Sequence, residues 1–247
     1  MSDRPWLSAY PEGVPADVEV NAYRSLVELL EQAFRQFGPR TAFHSMGQAL
    51  SYAELDQQST ALAAYLQSLG LVKGDRVAIM LPNVLQYPIS VAAILRAGYV
   101  VVNVNPLYTA RELQHQLQDS GAKAIVIIEN FAATLATCLA QTPIEHVVLC
   151  AMGDRLGWLK GAIVNHVVRK VKKLVPPFQL PTYTRFNQAL ALGAASALQP
   201  VNLGPEDIAV LQYTGGTTGV SKGAVLLHRN IIANVIQSEV WNAPAMK

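Results

Sequence analysis

Arg76–Val104 reads RVAIMLPNVLQYPISVAAILRAGYVVVNV. Its ends, Arg76–Met80 and Tyr99–Val104, are β-branched apolar runs, and its middle is an apolar stretch of helical length closed by Gly98. Apolar residues occupy both alternating sets of positions in each run, so both faces of each strand must be covered. A strand, a helix and a second strand in succession specify a parallel pair joined by a crossover. Asn83 is placed to cap the helix. Val77–Leu95 carries no charge, but Pro82, Asn83, Gln86 and Pro88 make it a poor membrane span.

The same alternation extends both ways. Upstream, Leu26, Leu29, Leu30, Ala33, Phe34 and Phe37 recur at helical spacing within 21–37, and Gly38-Pro39 stops the helix. Thr41–His44 and Ala49–Ser51 flank Met46-Gly47-Gln48 as a short hairpin. Ser51-Tyr-Ala-Glu54 is a capping box opening a helix from Tyr52 to about Leu69, ended by Gly70. Downstream, Thr109-Ala-Arg-Glu112 opens another helix that Gly121 closes, with Arg111 and Glu112 serving the helix rather than chemistry. Lys123–Ile128, His146–Leu149 and Ile208–Tyr213 are further apolar strands. The fold class is α/β, a parallel sheet with helices on both faces.

The chain has 247 residues, 51% hydrophobic and 15% charged, with a net charge of +2. That is a core-forming composition, and neither its charge nor any motif calls for nucleic acid. Cys138 and Cys150 have no CxxC spacing and read as buried thiols in a reducing compartment. The first residues, MSDRPWLSAYPEG, hold no apolar signal-peptide core, so a cytoplasmic location is expected. His44, His115, His146 and His166 are scattered and no metal site is expected. His228 has no nucleophile partner at motif spacing and reads as structural or near a site.

Tyr213–Gly223, YTGGTTGVSKG, follows the strand Ile208–Tyr213 and precedes the apolar run Ala224–Leu227. Holding a phosphate requires backbone amides at close range, which glycines permit. Gly215, Gly216, Gly219 and Gly223 supply that freedom, Thr214, Thr217, Thr218 and Ser221 supply hydroxyls, and Lys222 supplies charge, with Val220 between. It is not a Walker A loop, because the chain contains no Gly-Lys pair. It is not a dinucleotide loop, because Thr214 stands where the first glycine should be. Spacing alone leaves a plain surface loop as an equal reading.

This stretch resembles the signature loop of the acyl-adenylate-forming superfamily. Leu50–Leu55 (LSYAEL) and Ile94–Pro106 (ILRAGYVVVNVNP) resemble two other motifs of that family. Val104–Leu113 (VNPLYTAREL), Gln212-Tyr-Thr-Gly-Gly216 and Leu227–Ile231 (LHRNI) are similar to bacterial long-chain fatty acid CoA ligases. The likeness covers nearly the whole chain and implies the N-terminal part of the acyl-adenylate-forming fold. It implies activation of a fatty acid by ATP and Mg²⁺ to an acyl-adenylate, then transfer to coenzyme A. Thr214–Gly223 would cradle the β- and γ-phosphates, with Thr214 and Thr217 as the leading contacts and Lys222 as an electrostatic helper. The Tyr213 ring would line the acyl or nucleotide pocket. The family's adenine loop, Mg²⁺-holding acid, ribose-binding Asp and C-terminal domain with its catalytic Lys are expected downstream of Lys247, so no catalytic residue is assigned within these residues. A homodimer of the full-length enzyme is left open.

The organisation expected is an irregular lead-in over 1–20, an α/β subdomain over 21–192, and the start of a next subdomain over 193–247. The last part holds a linker, a strand, the loop and a following helix. No Asp or Glu occurs from Arg155 to Pro205. Within that span, Leu159–Leu174 places Leu159, Ile163, Val164, Val167, Val168, Val171 and Leu174 on one stripe. Lys160, Arg169, Lys170, Lys172 and Lys173 lie opposite. The stripe reads equally as a core-packed surface helix or as a peripheral contact with the anionic inner face of a membrane. Two other functions compete with the leading one: ligation of a different carboxylic acid, and a non-catalytic membrane-associated domain.

Overall fold

The computed structural model describes residues 4–214 and 221–246. Helix α1 (Leu26–Phe37) starts at Ser25, whose hydroxyl accepts from the Glu28 amide. The hairpin of β1 (Thr41–Ser45) and β2 (Gln48–Ser51) follows. Ser51 then opens α2 (Tyr52–Gln67) with both bonds of its capping box in place, Ser51 N to Glu54 Oε2 at 2.8 Å and Glu54 N to Ser51 Oγ at 3.2 Å. The Ser51 amide, then its hydroxyl, holds the Glu54 carboxyl below the usual range.

Strand β3 (Arg76–Met80), α3 (Gln86–Arg96) and β4 (Val100–Asn103) form the strand–helix–strand unit read from 76–104. The helix starts later than an Asn83 cap would place it. Val84 and Leu85 are buried first, through a turn closed by Val84 N to Pro82 O, and no side chain caps α3. Asn83 instead offers its carbonyl to the Ser45 hydroxyl at 3.2 Å.

Next come α4 (Ala110–Ser120), β5 (Ala124–Ile128), α5 (Ala132–Cys138) and β6 (His146–Cys150). Thr109 and Glu112 form the second capping box, and Gly121 ends α4 at φ 61°, a left-handed conformation that glycine adopts without strain. Helix α6 (Trp158–His166), β7 (Thr184–Arg185), α7 (Phe186–Ala194), β8 (Ile208–Thr214), β9 (Lys222–Leu227) and α8 (His228–Asn242) complete the described α-helices and strands.

Seven strands form one sheet in the order β7-β6-β5-β3-β4-β8-β9, and every neighbouring pair is parallel except β8 with β9. The run after the glycine-rich loop is therefore an antiparallel edge strand. Because side chains alternate across a strand, the central parallel strands β3, β4, β5, β6 and β8 feed two cores. Val77, Ile79, Val101, Val126 and Ile128 pack with α1, α2, α3, α7 and α8. Ala78, Met80, Val102, Ile125 and Ile127 pack with α4 and α5 on the other face. Cys138 and Cys150 are buried free thiols.

The basic segment differs from one continuous helix. After α6, Val167–Val171 forms a π-helical turn, with Lys172 N bonded to Val167 O. The stripe is not buried as a unit: Val168 is buried, while Leu159, Ile163, Val171 and Leu174 are exposed. Arg169 grips the buried Glu129 through two bonds of 2.8 and 2.9 Å, and Arg185 adds a third at 3.4 Å. No helix among the described residues is long and apolar enough to cross a membrane.

Candidate functional site

The parallel strands β3, β4 and β8 end side by side, and ligands of open α/β sheets sit outside such carboxyl ends. A cleft of about 290 Å³ opens there, with Tyr87, Asn103, Asn105, Tyr108, Gln212 and Tyr213 among its lining. The Tyr87 hydroxyl donates to Asn103 Oδ1 at 3.0 Å, and Asn103 Nδ2 donates to Gln212 Oε1 at 3.0 Å. Burial raises the Tyr87 hydroxyl pKa, so it remains a neutral donor. These bonds lock Asn103 and Gln212 across neighbouring strands and fix the polar floor of the cleft. Larger clefts lie under α6, about 610 Å³, and beside α1, about 740 Å³. Among the described residues, neither is lined by Tyr213, Thr214 or Ser221–Gly223.

That segment is carried on the β8–β9 hairpin. Thr214 stands opposite Lys222 at its neck, and the Ser221 hydroxyl donates to the Thr214 carbonyl at 2.9 Å. Thr214 and Lys222 are exposed, beside the carboxyl end of β8. Gly223 makes room for the Tyr213 ring: a Cβ there would lie 2.9 Å from two ring carbons. Tyr213 itself is buried, and its hydroxyl donates to Asp119 Oδ2 at 2.5 Å. Burial, then the bond and charge of Asp119, drives the Tyr213 pKa far above that of free tyrosine. Its ring therefore does more than border a pocket; it braces the hairpin on α4. Gly215, Gly216, Thr217, Thr218, Gly219 and Val220 lie outside the described residues.

The geometry brings in residues that sequence reasoning passed over. Asn103 is a polar residue ending an apolar strand, a signal visible in VVVN. Tyr87, His115 and Asp119 carried none, because their partners lie between 16 and 106 positions away. His228, 1% exposed, accepts the Leu26 amide on Nδ1 at 3.1 Å, which makes it a structural residue. Of the five basic candidates, Lys160 donates to the Met46 carbonyl and Arg169 pairs with Glu129, leaving Lys170, Lys172 and Lys173 exposed. Among the described residues, no three His, Cys, Asp or Glu side chains gather at one point.

The family model of AMP-binding enzymes matches residues 30–246. The chain belongs to the AMP-binding enzyme family. It is 51% identical to a long-chain-fatty-acid–CoA ligase of Escherichia coli, over 98% of this chain and 43% of that protein. A long-chain-fatty-acid–CoA ligase of Yersinia pestis is 49% identical over 99% of this chain and 44% of that protein. The chain thus spans under half the length of these curated relatives. Among solved structures, a long-chain-fatty-acid-CoA ligase from Archaeoglobus fulgidus superposes with a TM-score of 0.71 at 26% identity, covering 94% of this chain and 42% of that one. An anthranilate CoA ligase in complex with anthranoyl-AMP superposes at 0.69 and 18% identity, covering 86% and 37%, and shares the fold.

Proposed function

We propose that these residues form the phosphate-handling part of a long-chain fatty acid–CoA ligase. The observation that carries this reading is the pairing of Thr214 with Lys222 at the carboxyl end of β8, the two described flanks of the glycine-rich run. The relatives at 49–51% identity, all long-chain-fatty-acid–CoA ligases, support the substrate class. A carboxylate is a poor electrophile, so one of its oxygens attacks the α-phosphorus of ATP and pyrophosphate leaves. The thiol of coenzyme A then attacks the acyl carbon, loses its proton, and expels AMP. Amides and hydroxyls of the loop, with Lys222, would hold the triphosphate and the departing pyrophosphate, a task of positioning and charge stabilisation. Mg²⁺ travels with ATP as part of the substrate.

The test is a fusion of this chain to the remaining sequence of the Escherichia coli ligase, assayed for pyrophosphate release with acids of increasing length. Release that saturates with ATP and favours long-chain acids is expected. A preference for aryl or short-chain acids would overturn the long-chain assignment in favour of another carboxylic acid.

A second reading, peripheral membrane contact, rests on the exposed apolar side chains of α6 and the turn after it. Trp158 is 86% exposed, Leu159 55%, Ile163 56%, Val171 64% and Leu174 55%, beside the cations Lys170, Lys172 and Lys173. Exposed apolar side chains and cations in one segment suit an anionic lipid surface, whose headgroups would meet the lysines while the tryptophan enters the interface. Co-sedimentation with vesicles containing anionic lipid is expected and should fall sharply in a Trp158→Ser, Ile163→Ser variant. Equal binding to neutral vesicles would sink the electrostatic part of this reading.

A further inference from the structure

We propose that α4 is the positioning element of the glycine-rich loop, with Asp119 and His115 gripping the two strands that carry it. His115 and Asp119 lie four residues apart on α4, so both project from the same side of the helix. Asp119 takes the Tyr213 hydroxyl on the incoming strand, at 2.5 Å. The His115 ring donates from Nε2 to the Ser221 carbonyl where the chain leaves the loop, at 3.3 Å. Between the two grips, the Ser221 hydroxyl closes the neck onto the Thr214 carbonyl. Gly223 completes the device, because any side chain there would push the Tyr213 ring off its line to Asp119.

The arrangement matters because β9 is an edge strand. On its outer side it has no neighbouring strand among those described, so nothing in the sheet holds the exit of the loop from that direction. Helix α4 is an anchor of the opposite kind. Its Leu113 and Leu117 are fully buried in the second core, and capping closes it at both ends. Gln116, also on α4 and fully buried, donates to the Asn103 carbonyl at 2.7 Å and ties the helix to the strand at the cleft floor. One rigid helix therefore sets the loop neck and the cleft in a common frame. Amides that bind phosphate gain from such preorganisation, since their orientation is set before the ligand arrives. Asp119 and His115 are positioning residues, acting on phosphate through Tyr213 and Ser221.

The inference rests on the phosphate-holding reading of the loop, and two measurements separate the two claims. The first is amide hydrogen exchange in this chain at Thr214, Ser221 and Lys222, with amides of β3 and β5 as internal reference. Tyr213→Phe keeps the ring and removes one bond, so exchange at the neck should quicken about five- to tenfold, the effect of one lost hydrogen bond. Asp119→Leu and His115→Phe should do the same, while Asp119→Asn and His115→Gln, which keep an acceptor and a donor, should largely preserve protection. Unchanged exchange in Tyr213→Phe, or equal acceleration in β3 and β5, would overturn the clamp. The second measurement is steady-state kinetics in the fusion to the Escherichia coli remainder. The KM for ATP should rise several-fold in Asp119→Leu while the KM for fatty acid stays put, with Asp119→Asn restoring it. Loosened exchange with an unaltered KM for ATP would make α4 a purely structural support. A parent fusion that does not saturate with ATP would instead count against the phosphate reading and leave the exchange result to decide the clamp.

Discussion

The imidazole of His228 is almost wholly buried, and its Nδ1 must be unprotonated to accept the Leu26 amide. Burial, and to a lesser degree Lys73, depresses its pKa, while the Asp207 carboxylate opposes them. For a base whose folded pKa is lowered, the unfolded chain takes up the proton first as pH falls. The stability contributed is full above the ordinary histidine pKa of about 6.5 and is lost as pH drops from there toward the folded value. Chemical denaturation across that range should show this loss in the parent. It should be flattened in His228→Asn, whose Oδ1 can occupy the place of Nδ1 without titrating. His228→Ala should cost about 2 kcal/mol at pH 7.5, the price of orphaning a buried amide. The sequence placed His228 outside catalysis because it lacked a nucleophile partner. The bond to a residue 202 positions earlier was beyond that reasoning.

At the scale of elements, the caps were legible because they are local. Ser51 with Glu54 and Thr109 with Glu112 satisfy helix amides within one turn, and both boxes are formed as read. The start of α3 and the break after α6 were not legible, because burial of Val84, Leu85 and Val168 against distant elements decided them. The contact of α2 with α7 belongs to the same class. Gly193 sits so close to α2 that a Cβ would lie 1.7 Å from the Ala61 carbonyl oxygen. Gly193→Ala must push the helices apart, and urea unfolding should register a loss of about 1–3 kcal/mol. Gly204→Ala is the control. It has the Asp207 carboxylate as its nearest neighbour, 4.0 Å away, and should stay within about 0.5 kcal/mol of the parent.

For the whole molecule, β8 crosses back to lie beside β4, and α8 packs into the same core as α1. Thr214 and Lys222, which flank the glycine-rich loop, thereby lie at the carboxyl end of a central strand. The described residues supply the cleft at the ends of β3, β4 and β8 and the two strands that flank the loop in sequence. Taken by themselves, these 247 residues should release no fatty-acid-dependent pyrophosphate, whereas the fusion should. Release by the chain alone would show that the whole adenylation machinery lies within it.

The strand alternation and the capping boxes were determined by the sequence itself. Each depends on residues within a few positions of one another, and side-chain period and cap chemistry act over that distance. The tertiary structure alone decided which helix braces the loop and that the strand after it runs antiparallel. It also turned the apolar face of the basic segment outward. Those outcomes depend on contacts between residues dozens to a hundred positions apart. Their free energy exists only once packing has brought the partners together.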